Sequence, residues 1–260
     1  MTETSRGLRT PPVCSVVAVR VAVISDIHGN LAALESVLAA IDADAPDELW
    51  CLGDLVGYGP HPNECCAAVE ARAAVCLGGN HDLAVRGTID LSEFSGDAAA
   101  AAFWTLGVLA PQARAYLDSL SPEGERAGVP LYHGSARDPI WEYVLSDEAA
   151  AVTIELAGAP LVLVGHSHVA LEVSLRDGRL SGGLAAAGTE LDLGDGSVLL
   201  NPGSVGQPRD GDPRAAYLLI DLEARRARFG RVEYDIERTQ ADMRERGLPE
   251  LLATRLAVGQ

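Results

Sequence analysis

The amino-acid sequence predicts an α/β fold in which helices lie outside two β-sheets. Three observations favour this class. The N-terminal half repeats the order apolar strand, polar loop, helix. From Ala170 onward the chain changes to alternating segments separated by the turn signals Asp177-Gly178 and Asp195-Gly196. Finally, 48% of the 260 residues are hydrophobic and 22% are charged, as expected for a globular chain with a substantial core.

The first predicted strand is the β-branched, apolar run at 16–25. A helix follows, because apolar residues recur at helical spacing from Leu31 to Ile41 and Asn30 suits an N-cap. Parallel strands joined by helices place their carboxyl ends along one crevice, the usual ligand position in open α/β sheets. The pattern continues with a strand, a helix and a strand at 48–52, 62–72 and 74–77.

The rest of the chain predicts two helices within 90–120, the second starting near Pro111. Strands near 197–200, 216–221 and 228–232 are expected to complete a second sheet, before a polar helical segment from Asp235. No linker interrupts the chain, so we expect a flexible tail at 1–15 and a single domain at 16–260. The remaining elements are a strand, a helix and a strand at 129–132, 147–157 and 161–164.

The charge of the chain limits its partners. The net charge is −17, from 37 acidic and 20 basic residues, and every basic residue is Arg. A chain without Lys cannot form a lysine Schiff base and has no phosphate-binding P-loop lysine. An acidic surface repels long nucleic acids. A small phosphate ester stays compatible with the sequence, because bound cations would make the local field positive.

The five Cys show no Cys-x-x-Cys spacing, so the sequence indicates neither a disulfide framework nor a thiolate zinc site. No apolar run is long enough to span a membrane. The run at 13–24 resembles the core of a signal peptide, but Arg20 interrupts it and no cleavage site follows. We therefore expect a cytoplasmic protein with reduced thiols.

The histidines are clustered along the chain. Five of the 6 His lie in short runs that also contain Asp, Gly or Asn. Imidazole and oxygen ligands from separate loops are what a two-metal hydrolytic centre uses. Singly, these residues have ordinary explanations: His133 suits a packed core, and His166 and His168 could alternate along a strand. The runs that contain His occur at 26–28, 79–82, 133–134 and 165–168, and a Gly-Asp pair occurs at 53–54.

The order of these motifs resembles the calcineurin-like metallophosphoesterases. Asp-x-His, Gly-Asp, Gly-Asn-His-Asp, a lone His-Gly and Gly-His-x-His follow one another between about residues 19 and 232. The segments at 26–30, 57–60 and 201–204 are similar to the compact bacterial and archaeal phosphodiesterase branch. The resemblance implies a two-sheet β-sandwich flanked by helices, in four αββα layers.

The resemblance also implies a binuclear centre. Asp54 would bridge two cations through its two oxygens, and water between them would supply an attacking hydroxide near neutral pH. The donor set suits Mn, Fe, Co, Ni or Zn, and the resemblance favours Mn. The first metal would be held by Asp26, His28 and His168, and the second by Asn80, His133 and His166.

Further residues are expected on the substrate side. His81 would donate a proton or a hydrogen bond to the leaving oxygen. Asp82 either orients the His81 ring or caps the following helix. Tyr58 and His61 either form a wall of the substrate site or belong to a plain turn. Arg209 either binds phosphate or forms a surface salt bridge.

The expected function is that of a binuclear phosphodiesterase acting on a small or nucleotide-like substrate. Two alternatives use the same centre: hydrolysis of dinucleoside polyphosphates, and dephosphorylation of phosphoserine and phosphothreonine. A third is a non-catalytic binding scaffold, since a fold alone does not establish a function. Neither a membrane nor a long nucleic acid is an expected partner. The sequence does not determine the oligomeric state and is compatible with a homo-oligomer.

Overall fold

The structure, a computed structural model, describes residues 20–94 and 96–260. The tail expected at 1–15 and the start of the first predicted strand lie outside these residues. The strands are β1 (Arg20–Ile24), β2 (Glu48–Cys51), β3 (Ala73–Cys76), β4 (Glu123–Arg126), β5 (Val129–Tyr132), β6 (Leu161–Val164), β7 (Ala170–Arg176), β8 (Arg179–Leu184), β9 (Glu190–Asp192), β10 (Ser197–Pro202), β11 (Ala215–Asp221) and β12 (Arg226–Val232). The helices are α1 (Leu31–Asp44), α2 (Pro62–Arg72), α3 (Asn80–Val85), α4 (Gly96–Val108), α5 (Pro111–Asp118), α6 (Asp147–Ala157), α7 (Ile236–Glu245) and α8 (Glu250–Arg255), with a 3-10 helix at Leu91–Glu93.

The strands form two six-stranded sheets, as the sequence predicts. The first has the order β3-β2-β1-β11-β12-β9, and the second has the order β4-β5-β6-β10-β7-β8. Strands β1, β2 and β3 run parallel, and so do β5, β6 and β10. The five ligand motifs follow the carboxyl ends of β1, β2, β3, β5 and β6, and the motif at 201–204 lies at the end of β10.

The sequence-based assignment of strands to sheets was wrong in two places. Strands β11 and β12 do not complete the second sheet; β11 pairs antiparallel with β1, where Val21 lies opposite Ile220. The Asp195-Gly196 turn does not close a hairpin, because β9 and β10 lie in different sheets. Only Asp177-Gly178 joins paired neighbours, β7 and β8. Alternating polarity identifies a strand and its buried face, but it does not identify the partner strand.

The alternation along β1 separates two cores. Val21 and Val23 face the core between the sheets, where they join Phe229 of β12. Ala22 and Ile24 point to the opposite face and pack against α1 and α2. On the far side, α6 covers the outer face of the second sheet. The order helix, sheet, sheet, helix confirms the predicted four layers.

Local sequence explains where the first two helices begin. The Asn30 side chain accepts a hydrogen bond from the Ala33 N–H (3.2 Å) and so caps α1. Pro62 occupies the first position of α2, where its missing N–H has no cost. In the two described ranges, no helix is both long enough and apolar enough to cross a bilayer.

Candidate functional site

The predicted ligands meet at the carboxyl ends of the parallel strands of both sheets. Each of the seven side chains is at most 4% exposed. Backbone geometry turns several of them inward, because six of the ten non-glycine residues with positive φ in the described chain lie at this site. These six are Asp26, His28, Asp54, Tyr58, His166 and His168, with φ between 51° and 63°. A left-handed conformation is costly for residues with a Cβ and is typical of functional sites.

Two groups of ligand atoms are formed, and both include Asp54. In each group, every residue offers one possible ligand atom, and these ligand atoms all lie within 4.8 Å of one another. The Asp54 Oδ2 atom is 3.6 Å from His28 Nε2 and 3.5 Å from His133 Nε2. The groups are Asp26, His28, Asp54 and His168, and Asp54, His133 and His166.

Asn80 lies beside the second group. Its Oδ1 atom is 3.2 Å from His133 Nε2, so an uncharged oxygen adjoins the imidazoles. The structure thus brings together all seven residues that the sequence assigned to the two metal positions. Six of them fall into the two groups, with Asp54 common to both, and Asn80 adjoins the second group.

Backbone carbonyls fix the orientation of three histidine rings. The Nδ1–H groups of His28, His133 and His168 donate to the carbonyl oxygens of Val56 (3.0 Å), Leu52 (2.8 Å) and Gln207 (2.6 Å). A neutral imidazole that donates through Nδ1 has its lone pair on Nε2, which here points into the cluster. His166 differs, because its Nε2 donates to the Trp141 carbonyl (3.3 Å) and its lone pair is therefore on Nδ1.

The cluster contains buried polar atoms that suit a cation. Among the described residues, neither Asp26 Oδ1 nor Asp54 Oδ2 has a hydrogen-bond partner. His28 Nε2 and His168 Nε2 lie 3.0 Å apart, although both carry lone pairs in the neutral rings. Unsatisfied carboxylate oxygens and facing lone pairs are costly in a buried site. The donor set of carboxylate, imidazole and amide oxygen therefore fits divalent cations.

Burial also shifts the protonation of the cluster in the absence of a cation. Burial raises the pKa of Asp26 to about 7, and His133 opposes this increase. Burial, reinforced by Asp82, raises the pKa of Asp54 well above its usual range. The pKa values of His28 and His168 are lowered, again mainly by burial. Uncharged forms are thus favoured until a positive charge enters the cluster.

Asp82 lies in the first turn of α3, which begins at Asn80, and its carboxylate helps to cap that helix by accepting a hydrogen bond from the Gly79 N–H. No hydrogen bond joins this carboxylate to the His81 Nδ1 atom in the described chain. Altogether, the carboxylate accepts hydrogen bonds from the backbone N–H groups of Leu55 (2.9 Å), Val56 (3.1 Å) and Gly79 (2.9 Å). Asp82 therefore holds the loop after β2 against the loop after β3.

His81 lies over the cluster without belonging to it. Its backbone N–H donates to Asp54 Oδ1 (2.9 Å), and its ring packs 4.9 Å from His28 and 4.5 Å from Tyr58. Within the described chain, its buried Nδ1 atom has no partner. Burial lowers the pKa of His81 to about 3, and Arg209 contributes to the decrease. The ring lines a cavity next to Asp54 and Asn80.

The three candidate substrate residues have different surroundings. Tyr58 and Arg209 both line the cavity, and the Arg209 Nη2 atom donates to the Tyr58 hydroxyl (3.3 Å). Arg209 is not a surface ion pair: no carboxylate pairs with it in the part of the chain that the structure describes. His61 does not line the cavity, because its Nε2 lies 2.9 Å from Asp242 Oδ2 on α7.

The structure adds residues that the sequence analysis missed. The cavity has a volume of about 190 Å³, and five of its lining residues come from segments without a recognised motif. A signal for two of them exists in hindsight, since Trp141 and Tyr143 lie close together in a chain with only 5% aromatic residues. The five are Glu93, Phe94, Ala98, Trp141 and Tyr143.

The motif at 201–204 connects the ligand loops. Asn201 Nδ2 donates to the Gly165 carbonyl (2.7 Å), next to His166. Ser204 Oγ donates to the Asp26 carbonyl (2.7 Å). The segment at the end of β10 therefore binds a ligand loop from each sheet, which fixes the relative position of the two halves of the cluster.

The chain is similar to known proteins over most of its length. The family model described as calcineurin-like phosphoesterase superfamily domain matches residues 19–225. A metallophosphoesterase of Sphaerobacter thermophilus has a solved structure with 43% identity and a TM-score of 0.85, over 94% of this chain and 100% of that one. An uncharacterized protein of Methanocaldococcus jannaschii is 38% identical over 247 residues, covering 92% of this chain and 98% of its own.

A more distant structure shares the fold. A hypothetical protein of Pyrococcus horikoshii has 22% identity and a TM-score of 0.77, over 93% of this chain and 98% of that one. At this identity the comparison supports the two-sheet architecture alone.

We predict that Asp82→Asn lowers the free energy of unfolding by about 3 kcal/mol, because an amide cannot satisfy three buried N–H donors. Urea unfolding followed by circular dichroism measures the change. Asp118→Asn, an exposed position at the end of α5, is the matched control and should change stability by less than about 0.5 kcal/mol. Equal effects of the two substitutions would show that Asp82 does not hold the loops.

Proposed function

This chain belongs to the calcineurin-like phosphoesterase superfamily, and we propose that it is a phosphodiesterase that uses two divalent cations. The observation behind the proposal is that six buried Asp and His side chains form two groups that share Asp54, with Asn80 beside the second group. Two groups with a common carboxylate suit two cations a short distance apart. We further propose manganese as the metal and the cytoplasm as the location, as expected from the sequence.

The ligand assignment follows from the two groups. Asp54 would contribute to both cations, because its Oδ2 atom is 3.6 Å from His28 Nε2 and 3.5 Å from His133 Nε2. When bound, the cations would polarise the phosphoryl oxygens and lower the pKa of water, so that hydroxide is available near neutral pH. One cation would be held by Asp26, His28 and His168, and the other by Asn80, His133 and His166.

The chain's own residues would orient the ester. The carbonyls of Leu52, Val56 and Gln207 keep three imidazoles in the tautomer that can bind a cation. The His81 ring, which lines the cavity, would donate an N–H to the departing oxygen. Arg209, also at the cavity, would bind a non-bridging phosphate oxygen through its planar guanidinium.

We predict that the purified protein reconstituted with Mn²⁺ contains about two ions per chain, and that Asp54→Ala removes both of them. His168→Ala should remove one, since His168 belongs to only one group. Element-resolved mass spectrometry after gel filtration measures the stoichiometry. His61→Ala is the matched histidine control, because His61 lies outside both groups. A single ion in the wild type, unaffected by His168→Ala, would rule out the binuclear assignment.

For His81→Ala we expect unchanged metal content and a turnover that falls about 10²- to 10³-fold, the usual contribution of one hydrogen-bond donor to the transition state. The decrease should appear in kcat on an aryl phosphodiester. The metal measurement shows whether the centre has survived the substitution. Wild-type turnover in a fully loaded variant would remove His81 from the reaction.

A substrate panel distinguishes the proposed reaction from its alternatives. We expect the highest kcat/KM on bis(p-nitrophenyl) phosphate, against diadenosine tetraphosphate and a phosphoserine peptide at equal metal loading. The small cavity and its nearly enclosed ligands support this order. A dominant rate on the polyphosphate or the peptide would replace the diester assignment. If no ester is hydrolysed by the loaded protein, the scaffold alternative is favoured.

A further inference from the structure

Aromatic side chains are concentrated at the cavity next to the ligand cluster. The whole chain has only 3 Trp, 6 Tyr and 3 Phe, and four of these side chains line this one cavity. Tyr58 is buried behind the cluster, at 8% exposure. The other three, Phe94, Trp141 and Tyr143, lie nearer the solvent and form an aromatic rim.

The rim exposes apolar surface at a defined place. Trp141 is 37% exposed and Tyr143 is 46% exposed, and both line the cavity. Exposed aromatic surface of this kind is unfavourable in water, and a group of such residues is typical of a binding site. The position of the rim beside polar ligands matches the usual composition of small-molecule pockets, in which aromatic walls surround a few polar groups.

Each ring of the rim packs against at least one neighbouring ring. Tyr143 stacks on His166 with a centroid distance of 4.2 Å and an interplanar angle of 8°. Phe94 packs 4.7 Å from His81, and Trp141 packs 5.6 Å from Phe94. These contacts hold the rings in place, so little conformational entropy is lost when a flat ligand binds to them.

The rim is connected directly to the reacting end of the site. The Trp141 carbonyl accepts a hydrogen bond from His166, and Phe94 adjoins His81. A planar group that stacks on the rim is therefore adjacent to any phosphate held by the cluster. Arg209 lines the same cavity and can balance the phosphate charge.

We propose that the aromatic rim stacks on a planar aromatic group of the substrate, a nucleobase or an aryl ring, and thereby determines specificity for aromatic over aliphatic phosphate esters. This inference rests on the proposed function, because it assumes that the cluster holds the phosphate. Stacking of one base on aromatic side chains changes affinity by about 5- to 150-fold.

The test compares two phosphate monoesters that differ only in the base. We expect the Mn²⁺-loaded protein to bind AMP about tenfold more tightly than ribose 5-phosphate, measured by isothermal titration calorimetry. Trp141→Leu should bring the ratio of the two dissociation constants close to one. Trp141→Phe, which keeps a ring, should retain most of the preference.

A matched control comes from outside the cavity. Phe103 on α4 is 63% exposed and does not line the site, so Phe103→Leu should leave the ratio unchanged. Thermal unfolding and metal content verify that each variant is intact. Equal binding of AMP and ribose 5-phosphate by an active wild-type protein overturns the inference and leaves the phosphodiesterase proposal intact. A loaded protein that hydrolyses no ester and binds neither probe overturns both.

Discussion

The whole site depends on strained backbone at the ends of the parallel strands. Asp26, Asp54 and His166 each follow a strand with φ between 54° and 63°, which directs their side chains toward a common centre instead of along the sheet. Such conformations cost about 1–3 kcal/mol each and persist only where the surroundings enforce them. Here the enforcement is local hydrogen bonding: the Asp26 N–H donates to the Gly53 carbonyl, and the Ile27 N–H donates to the Asp54 carbonyl.

Small residues let the strained loops approach one another. A Cβ on Gly53 would lie 2.7 Å from the Gly79 nitrogen, and a Cβ on Gly79 would overlap the Asp54 carboxylate. The glycines of the Gly-Asp and Gly-Asn motifs are therefore required by packing between loops. Asp82 and Ser204 add side-chain hydrogen bonds to the same loops. The ligand motifs thus combine two requirements, a metal-binding side chain and the space that its neighbours need.

The sequence predicted those features of the fold that depend on short segments. The ends of α2 and α6, and the Asn30 cap, agree with the prediction because propensity, periodicity and capping act within a few residues. The seven candidate ligands could be named because their order along the chain matches a known pattern. The membership of β11 and β12 in the first sheet could not be predicted, since strand pairing over long sequence separations leaves no local mark. The same reason explains why the bonds from Asp82 to Leu55 and Val56, and the aromatic rim, became apparent only in the structure.

The electrostatics of the site links its folding to the binding of the proposed cations. Folding buries two carboxylates and four imidazoles in one place, and burial is the main reason that the pKa of Asp26 is raised to about 7 and the pKa of His166 is lowered. Without a positive charge, burial of the cluster therefore costs folding free energy. Among the described residues, Asp26 and Asp54 each keep a buried oxygen that has no hydrogen-bond partner. A cation that binds the folded cluster offsets this cost, and it does so only after the loops of both sheets have met. Metal affinity and folding free energy are then parts of one equilibrium. Because Asp54 belongs to both groups, its loop would couple the two proposed binding events to the docking of the sheets.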